Sequence, residues 1–151
     1  ELTGGYASTG LRMYGWTDGE WMGSDAPVLE IGTDMKIYQA NNPKFGTVFT
    51  NKMVDVSGYG KLCVDLEYNI LGKGFNNGFG IHLTKTNTNG YNPLVTYFVD
   101  TAKEDKSYNG VVTMDLSGVS GNVYLAISSH RHSHLEQHPY NTVTIRKIWL
   151  E

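Results

Sequence analysis

One phrase occurs twice in this chain and constrains its fold more than any other feature. Asp55-Val56-Ser57-Gly58 leads through Gly60 into Leu62, Val64 and Leu66, and Asp115-Leu116-Ser117-Gly118 leads through Gly121 into Val123, Leu125 and Ile127. On either side of the Ser-Gly step, apolar and polar residues alternate with the period of two that a half-buried strand requires. The step itself is turn chemistry: glycine tolerates positive φ, and a serine hydroxyl can bond to nearby backbone. Each copy therefore reads as strand, corner, strand. Two such corners predict a two-layer β fold in which the chain passes from one sheet to the other.

A length of 151 residues fits one domain, residues 1–151, able to bury roughly two-thirds of the surface its unfolded form would expose. The 18 glycines and a charged fraction of only 18% suit short strands joined by tight turns, and no stretch carries a useful amphipathic helical period. Residues 1–26 form a loop-rich N-terminal segment with a short strand expected over 11–14, and Trp16 and Trp21 fall in its loop. Further strands are expected over 28–31, 35–38, 47–56, 61–70, 79–84, 94–100, 111–116, 122–128 and 141–150, with 101–109 as a charged connection. The count is about ten, at the even spacing of a sandwich or barrel. The fold class is thus all-β, a two-sheet antiparallel sandwich.

The net charge of −3 offers no cationic footprint for nucleic acid, whose binding is dominated by contacts with phosphate. No apolar run approaches the roughly 18 residues of a membrane span, so no membrane insertion is expected. The first residues lack the basic-then-apolar layout of a signal peptide, and the chain reads as a mature protein or as one module of a longer one. A single cysteine, Cys63, sits between Leu62 and Val64 inside a strand, where a small packed residue is expected rather than a nucleophile.

The repeated corner, the segment Gly121-Asn122-Val123-Tyr124-Leu125-Ala126-Ile127, and the ending Val143-Thr144-Ile145-Arg146-Lys147-Ile148-Trp149-Leu150-Glu151 resemble jelly-roll carbohydrate-binding modules. The likeness spans about residues 34–151. Such modules are appended to glycan-degrading enzymes of Gram-positive bacteria and to phage tail proteins. The resemblance implies a noncatalytic sandwich of a larger extracellular or virion-associated protein, binding a polysaccharide or cell-surface glycan on a sheet face or in the loops at one edge. No sugar-binding motif of the family maps onto this chain residue by residue.

Sugar recognition calls for a flat ring against the apolar face of a pyranose, together with charge-assisted hydrogen bonds to its hydroxyls. Trp16, Trp21, Tyr91 and Tyr140 lie in turn-rich surroundings and are the candidate rings. His82 and Arg146 occupy polar positions of strands whose neighbours are apolar, so both should point away from the core. The run from Ser128 to His138 holds four of the five histidines; His130, with His132 and His134, would share one side of an extended chain and Arg131 the other. Three imidazoles on one side can bind Zn²⁺, but the usual ligand spacings are missing, and the run reads instead either as a plain solvated loop or as a ligand contact through His130 and Arg131. Asp65 and Glu67, two apart on one strand and about 7 Å apart at the backbone, form a carboxylate pair of the kind a glycoside hydrolase uses, although many surface strands carry such pairs. No catalytic residue, resident metal or cofactor is expected, although such sandwiches often hold a structural Ca²⁺. The rival readings are that hydrolase and a structural or host-attachment domain of a phage tail or cell-surface assembly.

Overall fold

A computed structural model describes residues 16–18, 27–31, 34–39, 44–74, 77–87, 92–131 and 141–151. Every regular element among them is a β-strand: β1 (Trp16–Asp18), β2 (Val28–Ile31), β3 (Met35–Tyr38), β4 (Lys44–Thr50), β5 (Val54–Asp55), β6 (Lys61–Ile70), β7 (Gly78–Thr84), β8 (Val95–Asp100), β9 (Lys106–Asp115), β10 (Asn122–Arg131) and β11 (Val143–Leu150). All pairings are antiparallel and make two sheets. The first runs β1-β4-β10-β7-β8, with β5 also on β10, and the second runs β2-β3-β11-β6-β9. The expected sandwich is therefore the observed one.

The two sheets bury one apolar layer between them. On β6, Leu62, Val64, Leu66, Tyr68 and Ile70 face it, and on β7 so do Phe79, Ile81 and Leu83. Alternation supplies the reason, since every second residue of these strands is apolar and lands on the same face. No described helix is long and apolar enough to cross a membrane.

Several boundaries moved. β1 lies at Trp16–Asp18, within the stretch expected to be loop, while 11–14 falls outside the described residues. The strand expected over 47–56 starts at Lys44 and is interrupted after Thr50, leaving β5 only two residues long. Residues 106–109, expected to be connection, open β9, whose ten residues pair along the whole of β6. β10 continues three residues past Ser128, so His130 and Arg131 belong to a strand and not to a loop.

Both corners carry the chain between sheets, from β5 to β6 and from β9 to β10. In each, the aspartate closes the turn: Asp55 Oδ1 accepts the Ser57 amide at 2.9 Å, and Asp115 Oδ1 accepts the Ser117 amide at 2.8 Å. These bonds hold both carboxyls below the usual aspartate range, led by the backbone bond at Asp55 and by the serine hydroxyl bond at Asp115. Gly58 and Gly118 then take φ of 80° and 79°. The corners also grip each other: Val56 N donates to Gly121 O and Leu116 N to Gly60 O, each at 2.9 Å. The Ser57 hydroxyl spans the same gap, accepting the Gly121 amide at 2.8 Å.

A Cβ at Gly58 or Gly118 would meet no neighbour, so substitution there tests the backbone alone. Gly58→Ala and Gly118→Ala should each cost about 1–2 kcal/mol through the left-handed conformation, lowering the melting temperature by several degrees. Calorimetry checks this, and Asn at either position should cost less than Ala.

Candidate functional site

β8 is an edge of the first sheet and β9 an edge of the second, and the two edges lie side by side. Here a groove of about 360 Å³ opens, lined by Tyr68, Tyr97, Phe98, Val99, Asp100 and Lys106. Its floor is aromatic. The Tyr68 ring lies 5.1 Å from Phe79 and 6.1 Å from Tyr108, and Tyr97 lies 6.2 Å from Phe79. The Tyr68 and Tyr97 hydroxyls are 2.9 Å apart. Burial first, and then the bond to Tyr68, pushes Tyr97 well above the usual phenol range, so it stays protonated. In a pair of neutral phenols, one O–H serves the pair and the other is left to donate elsewhere.

The outer wall is set by alternation along β8, which turns Tyr97 toward the core and Phe98 away from it. Phe98 is 52% exposed and stacks on His130, with centroids 5.5 Å apart and planes 9° from parallel. Asp100 Oδ1 accepts the Ala102 amide at 2.6 Å, and its Oδ2 lies 3.6 Å from His130 Nε2. Burial pulls the His130 imidazole below its ordinary range, and Asp100 pulls partly the other way. Lys106 Nζ is held by Glu104 Oε1 at 2.8 Å.

The structure separates the residues singled out from sequence. His82 faces away from the core, as alternation demands, but it is 6% exposed rather than open to solvent. Its Nε2 is 2.9 Å from Ser128 Oγ and its Nδ1 is 3.0 Å from Thr96 Oγ1. That is the spacing of a nucleophile, a base and an orienting group. However, Ser128 has no exposed surface, and burial lowers the His82 pKa to about 4, which makes a weak base. The trio is a hydrogen-bonded junction tying β7, β8 and β10 together.

Arg146 points outward from the other sheet. It is the extra residue of a β-bulge between Ile145 and Lys147. Its Nη2 donates to Asp65 Oδ1 at 2.8 Å and to Asn109 Oδ1 at 2.6 Å, and Nη1 lies 3.5 Å from Glu67 Oε2. The Asp65 bond raises the guanidinium above its usual range. Asp65 and Glu67 thus share one cation instead of flanking an open cleft, and they do so on the face opposite His82. Arg131 is 8% exposed and sits at the end of β10, in register with Lys44. Trp16 lies in β1 opposite Thr50, whereas Trp21, Tyr91, Tyr140, His132, His134 and His138 lie outside the described residues.

Among the described residues, no sequence candidate lines the groove itself, and His130 comes nearest by stacking on Phe98. Phe98, Asp100, Tyr97, Tyr68 and Lys106 do not stand out in the sequence, because they lie in strands and not in turn-rich loops. The signal was present: Tyr97 and Phe98 are adjacent on a strand, so one of them had to face outward. Among the described residues, no three His, Cys, Asp or Glu are grouped so as to hold a metal ion.

No protein-family model matches the chain, and neither does any curated protein. Several of the solved structures similar to it are carbohydrate-binding modules. The module CBM4 is 6% identical with a TM-score of 0.49, the match covering 90% of this chain and 86% of that one. A family 11 carbohydrate-binding module from Clostridium thermocellum, in complex with a β-1,3-1,4-mixed-linked tetrasaccharide, is 9% identical with a TM-score of 0.47, over 90% and 83% of the two chains. The secreted serine protease VesC from Vibrio cholerae is 10% identical with a TM-score of 0.48; the match covers 81% of this chain but only 22% of the protease.

The buried His82 gives the fold an acid dependence. Its folded pKa of about 4 lies below the 6.5 of an open imidazole, so the unfolded chain binds the proton more tightly. Stability from this residue is complete above pH 6.5 and falls as the pH drops toward 4, by about 3 kcal/mol in all. Urea unfolding across this range should show the fall, with His130 adding to it in the same direction. His82→Gln should remove most of the slope; an unchanged slope would contradict the assignment.

Proposed function

We propose that this chain is a noncatalytic carbohydrate-binding module that attaches a larger extracellular or virion-associated protein to a polysaccharide or cell-surface glycan. The observation that carries the reading is the aromatic groove between β8 and β9. It sets an outward ring, Phe98, beside a phenol pair, a carboxylate and an ammonium group. A pyranose presents an apolar face and a fringe of hydroxyls, and this combination answers both. Asp100 accepts from sugar hydroxyls, while the spare phenol proton and Lys106 donate to sugar oxygens. Trp16, Trp21 and Tyr91 remain proposed contacts on the strength of the sequence alone.

The glycoside hydrolase reading is the weaker one. It needs two carboxylates facing a sugar, and the pair singled out for that role, Asp65 and Glu67, is held by Arg146 on the far side of the sandwich. A host-attachment role is compatible with glycan binding and differs only in the parent protein.

The test is isothermal titration against mixed-linkage β-glucan, xylan, mannan and chitin oligosaccharides, with reducing-sugar release followed in parallel. The chain should bind at least one of these and release no sugar. Phe98→Ala should lower affinity by about 2 kcal/mol, roughly thirtyfold, with the melting temperature little changed, because an exposed ring adds little to the core. Sugar release that disappears in Asp65→Asn or Glu67→Gln would overturn the noncatalytic reading. Binding that ignores Phe98→Ala would move the site elsewhere.

A further inference from the structure

We propose that His130 is a positioning residue that fixes the plane of the Phe98 ring and so presents its open face to the glycan; the proposal rests on reading the β8–β9 groove as the sugar site. Phe98 is on β8 and His130 on β10, with β7 between them. Strands two apart are about 9–10 Å from each other, too far for rings standing upright to stack. These rings nevertheless lie 5.5 Å apart and 9° from parallel.

The sequence of β7 explains how. Opposite His130 and Asp100 the strand carries Gly78, and opposite Ser128 and Phe98 it carries Gly80. Neither row carries a β7 side chain of its own, although the His82 imidazole and the Ser128 hydroxyl cover Gly80, and the two rings lean toward each other across the strand. Neither glycine can be replaced cheaply. A Cβ at Gly78 would run into the Val99 carbonyl, and one at Gly80 would lie 2.5 Å from His82 Nε2 and 2.8 Å from Ser128 Oγ.

The two rings are unequally covered. The His130 side chain is 10% exposed, whereas Phe98 is 52% exposed. His130 therefore backs one face of Phe98 and leaves the other to solvent. Asp100, 3.6 Å from His130 Nε2, adds a polar tether to the same imidazole. A ring already fixed in its binding orientation loses less freedom when a ligand lands on it. His130 thus acts through Phe98 and does not itself meet the sugar.

The experiment compares His130→Leu, which fills the space without a ring, with His130→Phe, which restores one. Both are titrated with whichever polysaccharide of the panel binds the wild-type chain most tightly, and the aromatic resonances of Phe98 are followed by NMR in selectively labelled protein. His130→Leu should weaken binding about three- to tenfold and move the Phe98 ring resonances away from their stacked positions, while His130→Phe recovers both. Wild-type affinity in His130→Leu overturns the proposal, and so does a His130→Phe variant that binds as weakly as His130→Leu. A wild-type chain that binds nothing in the panel defeats the glycan reading itself. That result is distinct from a chain that binds but is indifferent to position 130.

Discussion

The pair of hydrogen bonds exchanged between the two corners is the constraint on which the rest of the molecule depends. Val56 and Leu116 occupy the same place in two copies of one phrase, and each gives its amide proton to a glycine carbonyl of the other copy. The points where the chain changes sheet are thereby fastened to each other as well as to their own strands. The end of the chain joins the same knot, since the Glu151 carbonyl accepts the amides of Gly60 and Lys61 at 2.7 and 2.8 Å. Backbone polar groups that a sharp corner would otherwise strand are paired here among themselves. With the corners fixed, β10 is held at the centre of the first sheet and β6 inside the second, between β11 and β9, and the apolar layer between the sheets follows.

The two outward faces use charge and ring systems differently. On the second sheet, the bulge at Arg146 aims a guanidinium at Asp65, Glu67 and Asn109, closing a network in which every charge has a partner. Such pairs at a half-exposed surface contribute little to stability. Their effect is to make that face self-contained. On the first sheet, the aromatic side chains at the β8 edge are only partly enclosed and lie beside Asp100 and Lys106.

Strands and corners were legible in the sequence because each depends on near neighbours. Alternation at Leu62, Val64 and Leu66 and the Asp-x-Ser-Gly steps needed no tertiary information. The site was less legible because it is made by strands distant in sequence: Tyr68, Phe98, Lys106 and His130 meet only once both sheets are closed. Arg146 and His82 both face away from the core, yet outward does not mean available. One is held by two carboxylates of the neighbouring β6, and the other is buried against hydroxyls on strands that no local pattern could pair with it.

β7 is buried along its whole length, on both faces at once. One face presents Phe79, Ile81 and Leu83 to the core, and the other presents glycines and His82 to the junction with Ser128 and Thr96. A slip of one residue would exchange the two sets, sending an imidazole into the apolar layer and leucine-sized side chains into a space cut for glycine. The strand therefore has a single seating, enforced from above and below like a key with teeth on both edges. β8 and β10 both take their register from β7, so the placing of Phe98 against His130 across that strand follows from its single seating.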